Sequence, residues 1–269
     1  MRLGVTMFAT DRAMPIQDLA RAAEERGFDS LYVPEHTHIP VSRRTPPAAG
    51  QDELPEEYKR TLDPLVGLSF AAAATTRLRV GTGILLAAQR DPIVTAKAIA
   101  TLDHLSGGRV VVGVGFGWNV EEIENHGVPY ARRREVARRN VMAMRALWRD
   151  EVASFDGFEP SWSWPKPVGG PPVHVGGAAG PKLFAHVAEY ADGWMPIGGH
   201  GIRAALPALR EACEKAERPM AKVIPFGTRP TREKLDYFAR LGIDEAVATL
   251  PSGPVDVVMP VLDDYAALL

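Results

Sequence analysis

Short apolar runs alternate with longer stretches in which apolar positions recur every three or four residues. Residues 3–7 (LGVTM) form the first run. Pro15 then opens a stretch with Ile16, Leu19, Ala20 and Ala23 on one face, which Gly27 ends. Proline at a first helical position and glycine after the last one mark a helix. The alternation continues with strands at 30–33, 78–86, 109–114, 173–175, 193–197, 222–226 and 245–250. Between them the pattern predicts helices at 64–74, 92–106, 119–148, 181–191, 202–217, 231–240 and 255–268, with Asp63-Pro64 and Asp91-Pro92 as cap-and-open pairs. Two stretches break the rhythm, a polar, Pro-rich insertion at 37–60 and an irregular one at 152–171.

Alternating β and α elements imply a parallel sheet buried on both faces. Eight such units in 269 residues, without a composition break, predict one α/β domain (1–269) with the fold of a (β/α)₈ TIM barrel, which takes ~250 residues. Composition narrows the function classes. Net charge is −2 with signs interspersed, so no nucleic-acid partner is expected. The densest basic run, ARRREVARR at 131–139, reads as a solvated helix face, with phosphate contact as the second reading. Cys213 is the one cysteine, so no intrachain disulfide can form. No leader pattern and no apolar run of ~18 residues occur, and a cytoplasmic protein with no membrane partner is expected.

The run RVVVGVGFGWNVEEI carries Gly113, Gly115 and Gly117 at the fourth strand end. A dinucleotide turn needs G-x-G-x-x-G after a first strand, so that reading is weak. In a barrel the residues after each strand form the ligand face. Glycines there either let a flat ligand approach the backbone or only bend the strand. The same face receives Pro34 to His38 after the second strand, Gly83-Ile84 in the third, and GGAAG (176–180) before a helix N-terminus, where backbone N–H groups suit a phosphate.

Taken in order, GFDSLYVPEH, TRLRVGTGILLAAQRDPIVTAKAIATLDHLSGGRVVVGVGFGWNVEEI, PPVHVGGAAG and YADGWMPIGG resemble the luciferase-like monooxygenase superfamily, specifically its coenzyme F-420-dependent oxidoreductases. The resemblance implies a barrel binding F-420, or alternatively FMN, at the strand C-termini. It implies Glu35 and His36 as the cofactor-facing acid and histidine, a bulge with a non-proline cis peptide at Gly83-Ile84, and Gly113, Gly117, Trp118 and Glu121 as cofactor-lining residues. It further implies Gly176, Gly177, Ala178 and Ala179 as a phosphate turn, with Pro196 and Ile197 beside it. Glucose-6-phosphate dehydrogenases of this family carry a glutamate where this chain has Trp118. That departure argues against that substrate and leaves His36 as the main proton-transfer candidate.

His36 has a structural alternative, hydrogen bonding to Glu35. A near-neutral histidine at a barrel strand end suits general acid–base work. His174, between Val173 and Val175, reads as a core histidine. Trp162 and Trp164 read as core or, preferably, as a wall of the substrate pocket. The pair His36-x-His38 also occurs in metal-dependent barrel hydrolases, but strands seven and eight end in PFGT and TLPSG without ligands, so no metal is assigned. A non-catalytic flavin-binding barrel is a third class. The preferred reading is hydride transfer between F-420 and a small-molecule substrate, with an FMN-dependent monooxygenase as runner-up. A homodimer is expected, with 37–60 as a mobile lid over the cofactor.

Overall fold

The computed structural model describes residues 1–42, 44–46 and 53–269. Among them, parallel strands β1 (Arg2–Thr6), β2 (Ser30–Val33), β3 (Arg79–Leu86), β4 (Val110–Gly115), β7 (Val173–Gly176), β8 (Gly193–Met195), β9 (Lys222–Val223) and β10 (Glu245–Thr249) pair in the order β10-β1-β2-β3-β4-β7-β8-β9. The ring is completed after β9. Thr228 N–H donates to Val247 O at 3.0 Å, Val247 N–H to Pro225 O at 2.8 Å, and Thr249 N–H to Thr228 O at 2.9 Å. A barrel of eight parallel strands results, as the alternating pattern predicts.

Helices α1 (Ile16–Glu25), α2 (Glu56–Arg60), α3 (Pro64–Ala73), α4 (Pro92–Ser106), α5 (Val120–Asn125), α6 (Arg133–Arg149), α7 (Pro181–Tyr190), α8 (Ile202–Lys215), α9 (Arg232–Arg240) and α10 (Val255–Ala266) connect the strands. The Asp-Pro pairs work as read. Asp63 accepts from the Leu65 and Val66 amides and Asp91 from the Val94 amide, while proline fills the next position. Gly107 closes α4 in the left-handed conformation. The stretch 119–148 is two helices rather than one. Gly127 at φ +77° and Pro129 divide α5 from α6, because neither favours a continuing helix.

Two apolar clusters hold the barrel. Tyr32, Val111, Met195, Ile224 and Val247 fill its interior, with Ile84 and Phe226 on top. A larger cluster lies between strands and helices. His174 is buried in β7, where burial lowers its pKa to about 4 and keeps it neutral. No helix among the described residues is long and apolar enough to cross a membrane.

The insertion at 152–171 departs from the expected pocket wall. It contains an antiparallel hairpin of β5 (Ala153–Phe155) and β6 (Phe158–Ser161), and it stays at the barrel's N-terminal end. Lys166 Nζ donates to Leu147 O at 2.8 Å, and Val168 N–H to Asp103 Oδ2 at 2.7 Å. Trp162 and Trp164 are therefore 74% and 60% exposed on the face away from the strand C-termini. A connection that leaves a helix C-terminus begins on that face, and these bonds keep it there.

Glu24, on α1, gathers the segment entering β3. Its carboxylate accepts from the Thr76 amide at 3.0 Å, the Arg77 amide at 2.6 Å and the Leu78 amide at 2.7 Å. Burial raises its pKa, but these donors outweigh that and hold it at about 2, against 4.5 unperturbed. The folded value lies below the unfolded one, so Glu24 stabilises the fold fully above about pH 4.5, and the contribution is lost as pH falls toward 2. Denaturant unfolding between pH 2 and 7 should show Glu24→Gln less stable than the parent at neutral pH, with the difference shrinking on acidification. A constant difference across that range would contradict this role.

Candidate functional site

All eight barrel strands end at one cavity of about 750 Å³. Its walls carry Met7 and Phe8 after β1, Pro34 to His36 after β2, Gly83, Ile84 and Leu86 of β3, and Phe116 to Trp118 after β4. Gly176 and Gly177, Met195 and Ile197, Phe226 and Gly227, and Thr249 and Leu250 complete the ring. The insertion adds Pro46, Leu54 and Tyr58, and α6 adds Arg133 and Arg134.

The floor is Ile84. The Gly83-Ile84 peptide bond is cis, and the β3–β4 register shifts between Thr82 and Leu85. Ile84 lies where side chains from its neighbours would go. A Cβ on Gly115 would meet Ile84 Cδ1 at 1.8 Å, and one on Gly176 would meet Ile84 Cγ2 at 3.1 Å. Gly113 serves a different purpose from the cofactor-lining one expected. It sits within β4, where a Cβ would meet Thr82 O at 2.2 Å, and its carbonyl accepts the Thr82 hydroxyl at 2.7 Å. Gly117 takes φ +75° and turns the chain into Trp118.

Glu35 anchors the floor from beside it. Its Oε2 accepts the Leu86 amide at 2.6 Å and its Oε1 the Arg90 Nε–H at 2.5 Å, while Arg90 Nη2 also donates to Asp63 at 2.7 Å. Burial pushes the Glu35 pKa up, and the Arg90 guanidinium and Leu86 amide oppose that shift. Both oxygens are engaged, which is an anchoring position rather than a proton-transferring one.

His36 pairs with Glu122, not Glu35. Its Nδ1 lies 2.8 Å from Glu122 Oε2, and Glu122 Oε1 also accepts the Thr37 amide at 3.3 Å. Glu122 is fully buried, and the sequence reading passed over it. The signal available was its place one turn into the helix after the glycine-rich strand end. Its neighbour Glu121 turns the other way, toward the insertion. It accepts the Thr45 hydroxyl at 2.6 Å, the Thr45 amide at 3.1 Å and the Arg44 amide. Burial raises the Glu121 pKa, but these donors bring it down to about 2. The expected cofactor residue is thus a clasp for the insertion, of which residues 43 and 47–52 lie outside the described residues. His38 contacts Thr37, Asn125 and His126 rather than sharing a ligand position with His36.

Around His36 the walls are aromatic. Its ring centroid lies 5.2 Å from that of Tyr58 and 6.0 Å from that of Trp118, and Phe8 stacks on Tyr58 at 4.7 Å. The wall formed by the end of β7 and the start of α6 is lined differently. Gly177 leads through exposed Ala178 and Ala179 into α7, whose N-terminus has no side-chain cap. Arg134 lies there too, 4.5 Å over the Phe116 ring, and its Nη1 is buried with no hydrogen-bond partner among the described residues. Arg133 is spent on Gly117 O at 3.2 Å and Tyr130 O at 2.9 Å. Arg133 and Arg134 thus line the cavity, while Arg132, Arg138 and Arg139 stay exposed on the solvated face expected of that run. Pro196 is buried, its carbonyl accepting the Phe226 amide at 2.8 Å, while Ile197 stands at the cavity wall.

The family model described as luciferase-like monooxygenase matches residues 2–231. An uncharacterized protein of Mycobacterium tuberculosis is 44% identical over 278 residues, covering 100% of this chain and 99% of its own. The F-420-dependent glucose-6-phosphate dehydrogenase of Kineococcus radiotolerans is 30% identical over 222 residues, covering 77% of this chain and 60% of its own. The solved structure of a monooxygenase from Streptomyces bottropensis shares the fold, with a TM-score of 0.80 at 19% identity over 100% of this chain and 98% of that one.

The floor can be tested by adding one methyl group. Gly115→Ala should lower unfolding stability by roughly 1–3 kcal/mol in urea titrations, because Ile84 must move. Gly180→Ala is the control, with extended backbone and nothing within 4 Å of its Cβ, and should change little. Equal effects of the two would mean Ile84 is not wedged as described.

Proposed function

The chain belongs to the luciferase-like monooxygenase family, whose members are oxidoreductases, and from that premise we propose that it transfers a hydride between coenzyme F-420 and a small organic substrate. The observation that carries this reading is a single cavity with an apolar floor, an anion-binding end and a buried histidine at the other end. The residues fit the group. Arg134 has a buried donor without a partner among the described residues, and Ile84 lies at the cavity wall in space that side chains at residues 115 and 176 would otherwise fill. The F-420-dependent relative favours F-420; FMN, which has a similar tricyclic ring and a phosphate, is the alternative and would make the protein a monooxygenase.

When bound, F-420 supplies a two-electron hydride couple. Arg134 and the N-terminus of α7 would hold its anionic portion, and Ile84 would support its ring. A carboxylate only accepts hydrogen bonds, so the Glu122 contact keeps a proton on His36 Nδ1 and leaves Nε2 to exchange one with the substrate. Leu54 and Tyr58 would exclude water from that end. Calorimetric titration should give tighter binding of F-420 than of FMN or NAD, and Arg134→Met should weaken F-420 binding about tenfold. His36→Ala should leave that affinity nearly unchanged and lower turnover by roughly 10²–10⁴-fold. Tighter binding of FMN would move the protein to the monooxygenase class.

We also infer a homodimer built on the outer faces of α3 and α4. No charged residue occurs from Pro64 to Ala73, yet Phe70 is 60% exposed and Leu105 of α4 79%. An apolar helix face of this kind marks an interaction surface. Between the two helices runs a groove of about 410 Å³ lined by Leu65, Ser69, Ala98 and Thr101. Protrusion and recess on one face suit a two-fold copy of itself. Sedimentation should give a dimer for the parent and a monomer for Phe70→Glu; a monomeric parent would rule the interface out.

A further inference from the structure

We propose that His38 and His126 form a site for a divalent transition-metal ion of the zinc, nickel and copper kind, and that the ion fastens the C-terminal end of α5 to the segment following β2. The residues concerned lie outside the cavity lining, so the site is independent of the cofactor the cavity takes. The two segments meet at two successive rungs. At the first, His36 Nδ1 stands 2.8 Å from Glu122 Oε2. At the second, the rings of His38 and His126 face each other with centroids 5.4 Å apart. Glu122 and His126 are four residues apart, which places them on one side of α5 and its C-cap. Thr37 joins the rungs. Its amide donates to Glu122 Oε1 at 3.3 Å, and its hydroxyl lies 2.9 Å from His38 Nδ1 and 2.7 Å from His126 Nε2.

The Thr37 hydroxyl marks where the ion stands. Two imidazole nitrogens from different elements converge on that one oxygen. A hydroxyl has a single hydrogen and can donate to only one of them, whereas a metal ion takes a lone pair from both. Zinc–imidazole bonds are about 2.0–2.1 Å, so each ring closes by less than about 1 Å on an ion at that position. Thr37, Asn125 and His126 are exposed and His38 is half-buried, which gives the ion a path in and the hydroxyl solvent to turn into.

Asn125 orients one ligand. Its side-chain amide lies 2.9 Å from His38 Nε2. With Nδ1 on the ion, Nε2 carries the proton of the neutral ring, and the amide accepts it by exchanging its oxygen and nitrogen ends. Metal-bound histidines are commonly held through the other ring nitrogen in this way. Among the described residues no third histidine, cysteine or carboxylate joins the pair, so water keeps the ion's remaining positions. Two imidazoles favour the later first-row ions, copper ahead of nickel and zinc, over magnesium and calcium, which take oxygen ligands.

Zinc chloride is titrated calorimetrically at neutral pH into the full chain carrying no polyhistidine tag. One ion should bind per chain with a Kd below about 100 µM, and magnesium should not compete. His38→Ala and His126→Ala should each weaken zinc at least about tenfold. His104→Ala, at an exposed histidine of α4, should leave the affinity within about twofold. His126 is exposed, so its variant should melt like the parent without zinc, and lost binding there is not lost folding. Zinc should shift the ring-nitrogen resonances of His38 and His126, and should slow amide exchange at residues 36–38 and 120–126 in the parent but not in His126→Ala. Zinc affinity unchanged in His38→Ala and His126→Ala, or equally reduced in His104→Ala, would mean an adventitious ion only and would overturn the site. Binding with unchanged exchange would overturn the fastening of α5.

Discussion

Ile84 occupies space that two neighbouring strand ends leave open by having no side chains. Its Cδ1 lies 1.8 Å from a would-be Cβ of residue 115 and its Cγ2 3.1 Å from one of residue 176, and below it packs on the interior cluster of Tyr32, Val111, Met195, Ile224 and Val247. Glycine at both positions leaves no side chain there to displace Ile84, so the floor is set by the strand ends. The surrounding hydrogen bonds act on the same element. Glu35 takes the Leu86 amide, Arg90 takes Glu35 and Asp63, and Asn140 of α6 donates to Ala87 O at 2.9 Å and Arg90 O at 3.0 Å. The end of β3 is thus tied to β2, α3 and α6 within a few residues of the floor.

The second constraint is carried by α5, a helix of only six residues with three carboxylates. Glu122 takes His36 and Thr37, Glu121 takes Arg44 and Thr45, and Glu124 pairs with Arg44 at 2.5 Å. Burying Glu122 is unfavourable unless its oxygens are satisfied, and the residues that satisfy them are those that must be placed. The histidine and the described start of the insertion are therefore fixed by one short element. Moving α5 would displace His36 and the described start of the insertion together.

The barrel was legible because its evidence is periodic. Eight apolar runs, Asp-Pro starts and glycine stops each report a local preference, and all agree on one topology. The cavity's position followed from the topology, and the bulge at Gly83-Ile84 from resemblance. Partner choice was not legible. Glu121 and Glu122 are adjacent carboxylates on one short helix, and nothing local tells which meets a histidine 86 residues away. The same holds for Arg133 and Arg134 inside a run whose other members, Arg132 and Arg138, pair with Glu135 and Glu189 at the surface. Trp162 and Trp164 misled for a related reason. Tryptophan in an insertion suggests a pocket wall, but which end of the barrel the insertion occupies is decided by Lys166, Val168 and their carbonyl and carboxylate partners.

The cavity divides according to what builds each part. Floor and anion end come from strand ends and from the starts of α6 and α7, elements the fold needs in any case. The aromatic end draws Leu54 and Tyr58 from an insertion the barrel does not need in order to close. An insertion can change length and sequence without disturbing β-strand register, because its ends are held by α5 on one side and by the Arg60–Asp11 contact of 2.8 Å on the other. Among the described residues, Arg134 lies over Phe116 while His36 lies beside Tyr58 and Trp118. Phe8 and Trp118, which complete the aromatic wall, come instead from the ends of β1 and β4. The wall can thus vary through the insertion without altering the strand ends, provided Glu121 and Glu122 keep the insertion and His36 in register.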